Sequence, residues 1–225
     1  MRITRRPVDR ADMIAVAVAL LVLAACDGGS EGPATVNPTP PKASAEEVAS
    51  GFVEAYGAFD AEEAITYLAP DAAILELIGS IGAHRGVEGT TEELRLLISL
   101  LRAEGYRQTL DSCEAQGDSA SGAMVHCTFD FHLFGSDRLG FGPYSGSSFD
   151  LTVLDGKIVR AGASFEVEEF SLEMWEPFEA WVSEAHPEDA MAMYEDETHT
   201  GVRLTEKSVR LWRRQVREYV AVMGS

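Results

Sequence analysis

Between Cys113 and Phe134 the sequence leaves the backbone little choice but an antiparallel hairpin. One strand ends in Asp111-Ser112-Cys113-Glu114, a small polar turn spans Gly117 to Gly122, and the returning strand runs from Ala123 to Phe134. That strand alternates, with Val125, Cys127, Phe129, Phe131 and Leu133 on one side and Met124, His126, Thr128, Asp130 and His132 on the other. Successive side chains of a strand point to opposite faces, so the first set can enter a core while the second forms a polar row. Any fold for this chain must cover the aromatic face and leave the polar row either as a site or as a surface.

Cys113 and Cys127 sit symmetrically about the turn. A non-hydrogen-bonded cross-strand pair at that position brings two Cα atoms close enough for a disulfide, and closing a loop of this size contributes ~3 kcal/mol on the chain-entropy account. A metal-binding or nucleophilic role would call for a CxxC or a second thiol cluster, and the sequence has neither.

A disulfide needs an oxidising compartment, and the N-terminus points to one. Arg2, Arg5, Arg6 and Arg10 precede an apolar stretch from Met13 to Leu23, and Leu23-Ala24-Ala25-Cys26 follows at once. This reads as a signal peptide over residues 1–25. The Leu-Ala-Ala-Cys run resembles the bacterial lipobox, which implies that Cys26 is lipidated and becomes the mature N-terminus. A membrane-spanning anchor needs roughly 20 apolar residues, and this stretch has 11. The expected location is extracytoplasmic, lipid-anchored to the bacterial cell membrane. Residues 26–43 hold Gly28, Gly29, Gly32, Pro33, Pro38, Pro40 and Pro41 with almost no apolar content, the composition of a disordered tether.

The formal charge is −19, and loss of four arginines and two aspartates with residues 1–25 makes it −21. Such a chain is repelled by nucleic acid and by anionic headgroups, so a nucleic-acid function is excluded.

Order begins at Ser44, which with Glu47 spells a capping box ahead of Val48, Phe52, Tyr56 and Phe59 on one helical face. Asp60 and Glu63 start a shorter helix that ends by Pro70, Ala73 to Ile78 reads as a strand, and a loop from Gly79 to Gly89 follows. Thr90 and Glu93 cap a third helix whose Leu94, Leu97, Ile98 and Leu101 recur at helical spacing up to Gly105. Strands are expected over 106–116, 123–134, 147–154 and 157–167, with Asp155-Gly156 as a hairpin turn between the last two and Gly135 to Gly146 as a lid or rim. Helices first and meandering strands afterwards make an α+β arrangement.

Phe52-Val53-Glu54-Ala55-Tyr56, Asp60-Ala61-Glu62-Glu63-Ala64 and Leu68-Ala69-Pro70-Asp71-Ala72 resemble the opening of SnoaL-like domains in the nuclear-transport-factor-2-like superfamily. His84-Arg85-Gly86 and Asp155-Gly156-Lys157-Ile158-Val159 are similar to later landmarks of that family. The resemblance covers residues 44–168. It implies a cone-shaped, curved antiparallel sheet packed on N-terminal helices, a pocket at the open end, and an outer sheet face used for dimerisation. Family members place catalytic Asp or His at varied positions, so no residue is assigned by motif.

Residues 169–225 read as a C-terminal helical extension packed on that domain. From Glu166 to Glu197 there are twelve acids and no Lys or Arg, whereas Arg203, Lys207, Arg210, Arg213, Arg214 and Arg217 follow in a helix over 205–222. Its apolar side, Val209, Trp212, Val216, Tyr219 and Val220, matches Trp175, Phe178, Trp181 and Val182 around Pro177. The basic helix is therefore expected to dock beside the acidic segment. Apolar burial would hold it there, because exposed ion pairs contribute only ~0–1 kcal/mol each.

Proton-transfer chemistry in such a cone requires a polar group in an apolar pocket, where desolvation moves its pKa toward neutrality. Tyr56 on the first helix, Glu76 in Ile74-Leu75-Glu76-Leu77-Ile78 and His84 before the third helix are the candidate pocket acids and bases; each can equally be a packing or edge residue. Asp130, His132 and Glu166 are weaker candidates. If the aromatic face of the 123–134 strand is concave, His126, Asp130 and His132 point outward as surface or dimer residues. As a metal set they fail on distance, since His126 and His132 lie about 20 Å apart along the strand, and one carboxylate with one imidazole makes no closed site. No metal or other cofactor is expected. No GxSxG, HExxH, Walker-type, Rossmann or EF-hand pattern occurs. The expected function is binding, of a small apolar ligand or a protein partner; the alternative is a cyclase, isomerase or dehydratase acting through those pocket residues.

Overall fold

The computed structural model describes residues 43–79, 87–196, 199 and 201–225. The expectations that concern Cys26, residues 1–25, the tether and His84 lie outside these residues.

Local signals place the N-terminal helices. In α1 (Ala45–Gly57) Ser44 Oγ accepts from Glu47 N at 3.1 Å while the Glu47 carboxylate accepts from Ser44 N at 2.7 Å, so two backbone donors of the first turn are satisfied reciprocally. Asp60 caps α2 (Ala61–Tyr67). Thr90 and Glu93 repeat the reciprocal cap at the start of α4 (Thr91–Glu104), which ends on Gly105 with φ 75°, a left-handed conformation that glycine adopts without a Cβ clash.

Between α2 and α4 the strand expected over Ala73 to Ile78 is replaced by two elements. The strand β1 is Leu68–Ala73, and Leu75–Ile78 is a helical turn, α3. Pro70 is tolerated because β1 is an edge strand, where a missing N–H breaks no ladder. Ile74, Leu77 and Ile78 are all buried; their i, i+3, i+4 spacing puts them on one side of a helical turn, whereas a strand would send Leu77 and Ile78 to opposite faces.

The sheet has the order β1-β5-β4-β3-β2, where β2 is Arg107–Ser119, β3 Gly122–His132, β4 Tyr144–Leu154 and β5 Lys157–Ser164. All pairings are antiparallel except β1 with β5. Register shifts interrupt every pair, at Leu110/Ser112 and Phe129/Phe131 among others, and such bulges bend and coil a sheet. The result is helices packed on a curved, unclosed sheet, the α+β arrangement that the SnoaL-like resemblance implies. Asp155 (φ 54°) and Gly156 (φ 78°) form the tight β4–β5 turn. Cys113 and Cys127 are register partners in β2 and β3, their Cα atoms are 4.0 Å apart, and they form a disulfide.

Val125, Cys127, Phe129 and Phe131 are buried, while Met124, His126, Thr128, Asp130 and His132 are partly or fully exposed. The aromatic face meets α1: Phe149 packs edge-on to Tyr56 at 5.3 Å between centroids and against Phe129 at 4.8 Å, and Phe165 meets both Phe129 at 5.4 Å and Phe131 at 5.2 Å. Such ring pairs contribute ~0.5–1.5 kcal/mol each beyond area burial.

Beyond the sheet come α5 (Ser136–Leu139), α6 (Glu168–Phe170), a π-helical turn (Ser171–Trp175), α7 (Glu176–Ala185), α8 (Pro187–Met193) and α9 (Glu206–Met223). The loop expected over 135–146 thus contains a helical turn and the first residues of β4. The strand expected to reach Phe134 ends at His132; Phe134 takes a left-handed backbone (φ 56°) and carries its ring out of the sheet to stack on Trp212 at 5.3 Å and to meet Phe178 at a tilt at 4.9 Å. Trp212 and Tyr219 of α9 each pack against Phe178, both at 5.3 Å. On the acidic side, Arg214 pairs with Asp189, and His186 Nε2 lies 3.2 Å from Glu218. Pro41–Ser225 is one compact unit, and α9 lies along α4 as well as α7 and α8.

Candidate functional site

The most unusual polar groups are inside. Tyr56 is fully buried and its hydroxyl has no hydrogen-bond partner among the described residues; burial first, and the charge of Glu104 second, push its pKa upward. Glu104 itself is fully buried with both carboxylate oxygens unpartnered, and desolvation raises its pKa well above 4.5, which favours the neutral acid. The sequence contained a signal for it: Leu97, Leu101 and Glu104 follow i, i+4, i+7 on the buried stripe of α4. Tyr194 is also raised, by burial and then by Glu179 and Glu104. Glu104 thus lies within electrostatic reach of α1 on one side and of the C-terminal helices on the other. Tyr106 differs, since its hydroxyl donates to Gln108 Oε1 at 2.8 Å and Gln108 Nε2 donates to Val53 O at 2.7 Å.

The other sequence candidates are dispersed. Glu76 is corrected from a pocket strand to the exposed side of α3: its carboxylate is 63% accessible and meets Arg160 at 2.5 Å, and that hydrogen bond, then the charge of Glu76, raises the Arg160 pKa. Its side chain passes over Gly162, so that Glu76, Asp150 and Arg160 line a shallow depression of about 380 Å³ on the outer sheet face. Also on that face, His126 Nδ1 is 2.8 Å from Asp150, and Asp130 points outward. His132 Nδ1 is 3.0 Å from Ser136 Oγ, and Glu166 is exposed after β5, its N–H donating to Ser147 Oγ at 3.1 Å. Tyr56, Glu76, Asp130, His132 and Glu166 are not brought together.

One constellation was not anticipated. Ser183 Oγ lies 3.3 Å from His199 Nδ1, and the same Nδ1 contacts Glu179. A relay would need the hydroxyl on one ring nitrogen and the carboxylate on the other, so this trio ties the α8–α9 connection to α7 and moves no proton. Among the described residues no group of three or more His, Cys, Asp or Glu is set to hold a metal ion, and no helix is long and apolar enough to cross a membrane.

A groove of about 680 Å³ lies where the C-terminal end of α4, the start of β2, α5 and α9 meet. Arg102, Arg107, Arg138, Arg213 and Arg217 line it, with Asp137 as its one acid and Phe59, Tyr106, Val216 and Val220 among its apolar walls. Arg107 pairs with Asp137 at 3.1 Å. Neither Tyr56 nor Glu104 lines this groove, the outer depression, or a third hollow of about 400 Å³ beside His199.

No family model and no curated protein matches the chain. Solved structures do. A proposed polyketide cyclase from a Silicibacter species is 15% identical over 56% of this chain and 92% of its own, with a TM-score of 0.40. A nuclear-transport-factor-2-like protein of unknown function from Cytophaga hutchinsonii is 11% identical over 55% and 91%, with a TM-score of 0.37. A de novo designed protein with a curved β-sheet is 16% identical over 60% and 99%, with a TM-score of 0.36.

Proposed function

We propose that this chain is an extracytoplasmic lipoprotein, held at the bacterial membrane through a lipid on Cys26, whose α+β domain is a ligand-binding module. One observation carries the binding reading: the concave sheet face is filled by interlocked rings of Phe129, Phe131, Phe149 and Phe165, while the open concavity lies at the flank, against α9. Its volume lies within the 300–1,000 Å³ of ordinary ligand pockets, but its wall is far more charged than theirs, with five arginines and one aspartate beside Phe59 and the valines of α9. The lipid reading is supported by the Arg-rich start, the short apolar stretch and Leu-Ala-Ala-Cys, and by a Cys113–Cys127 bridge that an oxidising compartment would preserve.

Two measurements test the two halves. Growth with an alkynyl palmitate should label the wild-type chain and leave Cys26→Ser unlabelled; equal labelling of both removes the anchor. Native mass spectrometry of the chain purified from its host should find a bound small molecule, and its absence at every protein concentration counts against the binding module. Dimerisation through the exposed outer sheet face is a further proposal, checked by the mass of the chain in solution.

A second reading, an acid–base enzyme of cyclase, isomerase or dehydratase type, has one observation in its favour: Tyr56 and Glu104 are buried, electrostatically coupled and without hydrogen-bond partners among the described residues. A substrate reaching them would have to displace the aromatic filling. Turnover abolished by both Tyr56→Phe and Glu104→Gln would establish it.

A further inference from the structure

We infer that the groove beside α9 binds an amphipathic organic phosphate, its head on the arginines and its apolar body along the valine stripe of α9. The inference rests on the binding-module reading and names the ligand class.

The charge pattern is the first observation. The chain has 37 acidic and 18 basic residues, yet five arginines and one aspartate line this groove, a formal +4 in a molecule of −19. Fields from distant surface acids are screened beyond about 8–10 Å at physiological salt, so an anion in the groove meets mainly the arginines. All five are arginine rather than lysine, the residue whose planar fork binds phosphate oxygens in pairs.

The second observation is how α9 divides its cations. Arg214 pairs with Asp189, and Arg210 lies 3.6 Å from Glu206. Among the described residues Arg102, Arg138, Arg213 and Arg217 have no carboxylate in ion-pair contact; Arg217 donates only to the Arg213 carbonyl at 3.1 Å. Asp189 of the acidic segment and Glu206 of α9 itself thus hold Arg214 and Arg210, and the two α9 arginines that line the groove are left without a carboxylate among the described residues.

The third is amphipathic. Arg213, Val216, Arg217 and Val220 follow i, i+3, i+4, i+7, a single stripe on which cation and valine alternate. Phe59 and Val220 are the part-exposed apolar side chains of the wall, with Tyr106 and Val216 buried behind them. Inorganic phosphate would use only the arginines; an alkyl phosphate would use both.

The test is a titration of the full chain in phosphatidylcholine nanodiscs with octyl phosphate, inorganic phosphate and octanol. Octyl phosphate should bind saturably and at least tenfold more tightly than either comparator. Arg213→Glu with Arg217→Glu should weaken it at least tenfold, and the double glutamine variant, which removes charge without reversing it, should do so as well. Arg210→Glu, which changes the charge by as much as the double glutamine variant but outside the groove, should bind as wild type, and thermal melting verifies that each variant is folded. Repeating the titration in phosphatidylglycerol nanodiscs separates the sources: a weaker apparent affinity means that the lipid headgroup already fills the groove, and an unchanged one means a free organic phosphate. Octanol binding as tightly as octyl phosphate, unaffected by the groove variants, overturns the ligand class and leaves the binding module standing. Saturable binding of none of the three probes overturns the inference and counts against the module itself.

Discussion

The sheet face beneath α1 and the groove beside α9 use aromatic and charged residues in opposite ways. Beneath α1, rings from β3, β4 and the segment after β5 fill the concavity, and the polar atoms trapped there, Tyr56 Oη and the Glu104 carboxylate, have no partner. Beside α9, Phe59 and Tyr106 serve as walls and the polar groups are arginines open to solvent. A buried polar group without a partner costs about 1–3 kcal/mol, whereas an exposed arginine costs the fold almost nothing until a ligand arrives. The first region is therefore built for stability with two tolerated polar groups, and the second is where recognition can occur without disturbing the core.

The largest expected effect tests whether the first region is a core. Phe149→Ala, which removes contacts to Phe52, Tyr56 and Phe129, should cost about 3–5 kcal/mol in urea denaturation. A loss below 1 kcal/mol would mean a loosely filled cone and return the interior to candidacy as a pocket. Next, replacing Cys113 and Cys127 together by Ser should cost ~3 kcal/mol while leaving octyl phosphate affinity unchanged, because the bridge pins the aromatic strand and not the groove.

Glu104 sharpens the comparison through pH. Its pKa in the folded chain lies well above the ordinary 4.5, so its contribution to stability is fully present below the unfolded value and is lost as pH rises toward the folded one. Glu104→Gln should melt close to wild type near pH 4 and above it at pH 8, by up to ~1.4 kcal/mol for each pH unit crossed between the two values. A variant that is less stable than wild type at pH 8 would show that the carboxylate has a partner. The smallest effect is expected at the groove: Arg213→Glu with Arg217→Glu should shift stability by no more than about 0.5 kcal/mol, as measured by denaturation, while weakening octyl phosphate binding at least tenfold.

Much of the fold was legible locally. The two reciprocal caps, the Asp155-Gly156 turn, the alternation of β3 and the facing cysteines are short-range signals whose physics is complete within a few residues. β1 is hidden in the sequence because Pro70 marks a helix stop as readily as an edge strand, and because Leu77 and Ile78 fit a period of two as well as a helical turn. Glu104 was legible in its heptad position but not in its consequence, since burial of that stripe depends on α9. The groove was not legible at all. Its arginines come from the end of α4, the start of β2, α5 and α9, and the docking of α9 along α4 brings Arg213 and Arg217 to the other three. The pairing of acidic segment and basic helix, visible in the sequence, accounts for Arg214 and leaves Arg213 and Arg217 to the other flank.

Photo-crosslinking with a diazirine-bearing alkyl phosphate, followed by peptide mapping of the full chain, locates binding directly. The label should fall on peptides carrying Ala103 to Tyr106 and Val216 to Val220. Label concentrated on the β3 and β4 peptides that carry Phe129 and Phe149 would contradict the assignment of recognition to the flank rather than the interior.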